Sequence, residues 1–138
     1  MGRQNQSLHY AIPYRRRDQR VEFCLVMADG ETTWEFPSST PADGGDSAKS
    51  LVDAVAELGL ENRLDPEPIG EFRTVRGGES FGAVAFLTAV ADNVEGAVHN
   101  GHRLRWCFPE EARLRIRRKP LRRLLDAAVH RLAGCNLR

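Results

Sequence analysis

Apolar and polar positions fall in blocks whose period changes along the chain. Residues 9–14 are short and mostly apolar and run into a basic turn at 15–18. Residues 21–28 (VEFCLVMA) are rich in strand formers and read as a buried strand, and Asp29-Gly30 is a turn signal, so the two segments predict a hairpin. Residues 34–36 alternate large and polar side chains until Pro37 stops them, and residues 38–45 (SSTPADGG) have loop chemistry. The period then becomes helical. Ala48, Leu51, Val52, Val55 and Leu58 share one face, Asp46, Ser50, Asp53 and Glu57 the opposite one. Asp46 or Ser47 can cap this helix, and Gly59 is its natural stop.

The second half begins with a polar, proline-containing connection at 61–68. Residues 69–75 and 81–90 are predicted strands joined by Arg76-Gly77-Gly78-Glu79, and 92–102 is a glycine-containing loop. Residues 103–108 alternate basic and apolar side chains and read as another strand, after which Pro109-Glu110-Glu111-Ala112 opens a short helical turn. Pro120 suits the first position of a final helix with an apolar stripe of Leu121, Leu124, Leu125, Ala128 and Leu132, ended by Gly134. This order is not a regular βαβ alternation. It predicts an α/β chain of the α+β kind, a mixed sheet with helices packed on its faces.

Composition narrows the class. At 138 residues and 41% hydrophobic, the chain is expected to be one domain, 1–138, that buries a core without metal or disulfide staples. Residues 1–7 read as a flexible polar tail without a signal-peptide core, and no stretch approaches a membrane span, so no membrane association is expected. The odd, scattered Cys24, Cys107 and Cys135 argue against a disulfide framework or thiolate metal site and fit a reduced cytoplasm, with Cys24 and Cys107 as buried strand thiols. The net charge of +1 excludes an obvious polyanion binder, although residues 113–123 (RLRIRRKPLRR) are strongly basic. That segment can contact phosphate or RNA or be a solvated surface; it has no interleaved aromatics for base stacking.

Residues 34–60, WEFPSSTPADGGDSAKSLVDAVAELGL, resemble the Nudix box, G-x5-E-x7-R-E-U-x-E-E-x-G-U, in a degenerate form. Trp34, Phe36 and Pro37 match its lead-in strand, Gly59 and Leu60 its closing pair. Glu57 stands at the second Glu of the E-E pair and Asp53 at the Glu of R-E. Ala56, Val52, Gly44 and Ser38 replace the other Glu, the Arg, the loop Glu and the leading Gly, although a gapped loop alignment brings Asp46 to the Gly-Glu position. The likeness extends over residues 11–132, through AIPYRRRDQRVEFCLVMADGETTWEFP, EFRTVRGGESFGAVAFLTAV and RLRWCFPEEARLRI.

The resemblance implies a Nudix-like mixed sheet sandwiched between helices. It also implies cleavage of a pyrophosphate bond in a nucleoside diphosphate derivative, assisted by Mg2+ or Mn2+. Hard cations on oxygen ligands neutralise such a substrate and activate water. Asp53 and Glu57 would be the catalytic metal carboxylates, with Asp46 as a third oxygen donor. An acidic helix stripe is otherwise just a solvated face. Arg73 and Arg76, beside a hairpin turn, and residues 15–17 can pair with phosphate. Trp34 can line a base pocket or pack in the core. With so many box residues replaced, two functions stay open: a weakened hydrolase, or an inactive Nudix-like module that binds a nucleotide, RNA or a protein. Homodimers are common in the family.

Overall fold

The computed structural model describes residues 7–39, 47–91, 98, 99 and 101–136. In chain order the elements are β1 (Ser7–Arg17), β2 (Arg20–Ala28), β3 (Ser38–Ser39), α1 (Ser47–Ala56), β4 (Asn62–Leu64), β5 (Gly70–Arg76), β6 (Glu79–Val90), β7 (Val98–His99), β8 (His102–Cys107), α2 (Pro109–Arg115) and α3 (Lys119–Asn136).

All strands join one mixed sheet with the order β4-β6-β1-β2-β8-β7. Its centre is a parallel pair, Ser7–Tyr14 of β1 against Gly82–Ala89 of β6. The far edge of β6 carries β5 and β4 end to end, antiparallel. β1 and β2 form the expected hairpin, but they stay paired only from Tyr14↔Phe23 to Arg17↔Arg20. Beyond that the two strands part, and residues 34–39 enter between them. Val26 and Glu35 exchange both backbone hydrogen bonds at 2.8 Å, the Ala11 amide donates to Pro37 at 2.9 Å, and β3 pairs with His9 and Tyr10. The wedge thus satisfies strand edges that would otherwise be buried with unpaired polar groups.

The split gives each face its own core. One cluster holds Tyr10, Ile12, Phe23, Leu25, Phe36 and the stripe of α3, where Leu121, Leu124, Leu125, Ala128 and Leu132 are all buried as expected. The other holds Ala11, Cys24, Val26 and Leu104 against Leu51, Val55 and Leu58 of α1. Ala48, placed on that apolar face by its period, is exposed. Gly59 does close the helix, at φ 84°, through bonds from the Leu58 and Gly59 amides to Val55 and Ala56.

Several expectations need correction. Residues 15–17 are not a turn: they extend β1, and the turn is Asp18-Gln19, both in the left-handed region. Ser7 begins β1 rather than closing a tail. Residues 38 and 39 are strand because β1 offers them an edge, and the connection at 61–68 contains β4 for the same reason. Residues 34–36 make only isolated bridges, Val26↔Glu35 and Trp34↔Ile116. α3 starts one residue before Pro120 and continues past Gly134. Among the described residues, no helix is long and apolar enough to cross a membrane.

Asn62 fastens α1 to the sheet. Its amide donates to the Val52 and Leu60 carbonyls at 3.3 and 3.1 Å and accepts from the fully buried Thr88 hydroxyl at 2.7 Å. Asn62→Ala should therefore cost about 2 kcal/mol in urea unfolding, because it strands a buried hydroxyl, and Thr88→Val on that background should restore part of the loss. Cys24 and Cys107 are free and buried, and burial pushes their thiols up to about 12 and about 11. At pH 8 both should stay unmodified by iodoacetamide in the native protein and react fully in denaturant, as read by mass spectrometry.

Candidate functional site

The wedge leaves a cleft of about 490 Å3 where β2, the 31–38 segment, the end of α1 and the start of β8 meet. That volume suits a small organic ligand. Glu31, Glu35 and Glu57 line it, with His102 and Arg118. Its apolar wall is Val26, Ala28, Phe36, Pro37, Ala54 and Leu58.

The α1 stripe is divided. Glu57 lines the cleft, just past the last regular turn, where its amide still bonds the Asp53 carbonyl at 2.9 Å. Asp53 does not line it. Its side chain is 57% exposed and takes a hydrogen bond from Lys49 at 3.1 Å, a solvent-facing (i, i+4) pair. Asp46 lies outside the described residues. Among the described residues no three His, Cys, Asp or Glu side chains gather closely enough to hold a metal ion.

The other expected ligand residues stand elsewhere. Trp34 packs against the α3-side core, half-buried. Arg73 is exposed on β5 and donates to Ser80 at 2.9 Å, beside a second, shallower depression that includes Glu71 and Gly82. Arg76 ends β5 opposite Glu79. Neither Trp34 nor Arg73 lines the main cleft, and the Arg76 side chain lies outside what the structure describes. Arg15 is withdrawn from any phosphate: its side chain is 2% exposed, bonded to Glu22 at 2.8 Å and stacked 4.1 Å from the Trp106 ring centroid.

The basic segment is largely consumed by the protein itself. Arg113 pairs with Asp126, Arg115 with Glu111, and Arg122 donates to the Ile116 and Arg117 carbonyls. Those last bonds shape the α2–α3 connection so that Arg118 turns into the cleft. Arg117, Lys119 and Arg123 remain exposed, with no ion pair among the described residues.

Arg118 is a feature that sequence reasoning missed. Its Nη1 donates to Glu35 at 3.3 Å and meets the Tyr10 hydroxyl at 3.5 Å, while Nη2 donates to the Thr74 hydroxyl. Burial opposes its charge, but Tyr10 and Glu35 outweigh it and hold the guanidinium above its usual pKa. Its partners lie far away in sequence, so only the excess of arginine in the segment hinted at it. Glu35 had a weak signal, as the polar member between Trp34 and Phe36.

No protein-family model matches the chain, and no curated protein matches it. Solved structures do. A C. elegans Ap4A hydrolase, as a binary complex, superposes with a TM-score of 0.81 over 94% of this chain and 98% of its own, at 17% identity. A mutT/nudix family protein from Listeria innocua gives 0.73 over 98% and 99%, at 14% identity. The E. coli dihydroneopterin triphosphate pyrophosphohydrolase gives 0.66 over 87% and 92%, at 13% identity. The fold is that of the Nudix hydrolases.

Within this Nudix fold, the residues opposite the degenerate box positions follow the same division. Ala56 is exposed, and Val52 is half-buried with its carbonyl taken by Asn62. Because the Asp53–Lys49 pair is solvated, Asp53→Asn should change unfolding free energy by no more than about 0.5 kcal/mol in a urea titration.

Proposed function

We propose that the cleft binds a nucleoside diphosphate derivative and that the protein hydrolyses its pyrophosphate bond slowly. The observation that carries this reading is the placement of Glu57 and Arg118 on one cleft in a Nudix fold. A guanidinium matches the paired oxygens of a phosphate. A carboxylate within reach of the same ligand can orient a water and accept its proton. The apolar wall of Val26, Phe36, Pro37 and Leu58 suits the uncharged part of a nucleotide. The relatives' printed substrates, Ap4A and dihydroneopterin triphosphate, both carry phosphate chains, which supports the substrate class without choosing a member.

The described donor set does not fit a resident Mg2+ or Mn2+, since no three ligand side chains converge. Magnesium is commonly held by one or two carboxylates together with substrate phosphates. The cation is therefore read as part of the substrate, arriving on its phosphate chain, where it would neutralise charge. Arg118 and Glu57 do the protein's share: one orients the phosphates, the other manages a proton. A second reading, a non-catalytic nucleotide-binding module, is favoured specifically by Asp53 facing Lys49 instead of the cleft.

Calorimetry separates these readings. Magnesium or manganese alone should give no saturable binding, and a nucleoside diphosphate panel with magnesium should bind. Phosphate release should be slow and should fall at least about tenfold in Glu57→Gln, as expected for a group acting on the proton, with Asp53→Asn near wild type. Binding without any phosphate release would leave the binding module. Absence of both would sink the nucleotide reading.

A further inference from the structure

Among the described residues the cleft is lined by three carboxylates, Glu31, Glu35 and Glu57, and by one guanidinium, Arg118. A bare phosphate ligand entering it meets more repulsion than attraction unless Arg118 is available. In the present structure Arg118 is occupied by Glu35. The pair is a long one: its 3.3 Å exceeds the 2.8, 2.9 and 2.7 Å of Arg15–Glu22, Arg20–Glu110 and Arg115–Glu111, while the Arg131–Asp65 pair, at 3.8 Å, is longer still. Charge-assisted bonds are normally of the shorter kind, so this one is loosely held.

The geometry around it is built to survive an exchange of partner. Tyr10 from β1 and Thr74 from β5 hold the guanidinium from behind, independently of Glu35. Nε has no acceptor among the described residues, while the side chain stays 30% exposed at the cleft. Glu35 is fixed through its backbone to Val26, so its side chain can swing away without moving the wedge. We propose that Arg118 is the phosphate-gripping residue of the cleft and that Glu35 is its resident competitor, displaced when a diphosphate group binds. This rests on the functional reading above and adds to it a specificity device: only a ligand anionic enough to outbid a carboxylate gains the guanidinium.

The test uses the full chain and inorganic pyrophosphate in EDTA, titrated by calorimetry, so hydrolysis does not enter. Glu35→Gln should bind pyrophosphate severalfold more tightly than wild type, because both the competitor and its charge are gone. Arg118→Gln should bind at least about tenfold more weakly, the loss expected of a charge-assisted contact. In the double variant the gain from Glu35→Gln should shrink markedly, a coupling that simple charge removal does not produce. Circular dichroism melts of each variant accompany the titrations. A misfolded protein cannot mimic the tighter binding of Glu35→Gln.

Unchanged or weaker binding in Glu35→Gln overturns the proposal. So does an Arg118→Gln protein with a wild-type melt and wild-type affinity, or a full Glu35→Gln gain on the Arg118→Gln background. Tight, Arg118-dependent pyrophosphate binding without turnover of any nucleotide upholds the role of Arg118 while sinking catalysis, so the two claims fail separately.

Discussion

The parting of β1 from β2 is the constraint on which the rest depends. Two strands that leave their ladder expose rows of backbone donors and acceptors, and burying those rows unpaired would cost more than a small domain can supply. Residues 34–39 satisfy them from both sides at once, bonding Val26 on one strand and His9, Tyr10 and Ala11 on the other. Once the wedge is in place, the sheet is open at its centre. α1 seals one face with Leu51, Val55 and Leu58, and α3 seals the other with its leucine stripe. The cleft lies beside the wedge, where β2, the end of α1 and the start of β8 meet it and Arg118 reaches in.

Burial divides the molecule's arginines into two kinds. Arg15 is sealed between Glu22 and the Trp106 ring, where exchange with a ligand would first require unpacking the sheet. Arg118 keeps part of its guanidinium on open space and takes its carboxylate partner at longer range. The same chemical pair is therefore architecture in one place and accessible chemistry in the other. The difference lies in solvent access and in how many other contacts hold each side chain. His9 offers a third case. Its Nδ1 and the Ser39 hydroxyl are buried on paired strands with no hydrogen-bond partner among the described residues, and burial lowers the pKa of His9, favouring the neutral ring.

Much of the fold was legible from periodicity. The α3 stripe, the Gly59 stop, the strand character of 21–28 and 81–90, and the buried thiols of Cys24 and Cys107 follow from one-dimensional patterns, because each reports which face of a single element is apolar. The short strands at 38–39 and 62–64 were read as loop. Their residues have little strand preference, and they are extended only because β1 and β6 present edges to them. Arg15 to Arg17 looked like a turn for the opposite reason: their charge masked a strand whose partners come from β2.

By itself, then, the amino-acid order determined the class of the fold, the order of its longer strands and helices and the likeness of residues 34–60 to the Nudix box, since local spacing carries all of these. It also placed Asp53 and Glu57 on one helical stripe. Only the tertiary structure separated them, setting Glu57 on the cleft and leaving Asp53 with Lys49 in solvent. Only the tertiary structure brought Arg118 to Glu35, Tyr10 and Thr74. Contacts between elements depend on how sheets split and helices dock, and those are properties of packing that no local pattern records.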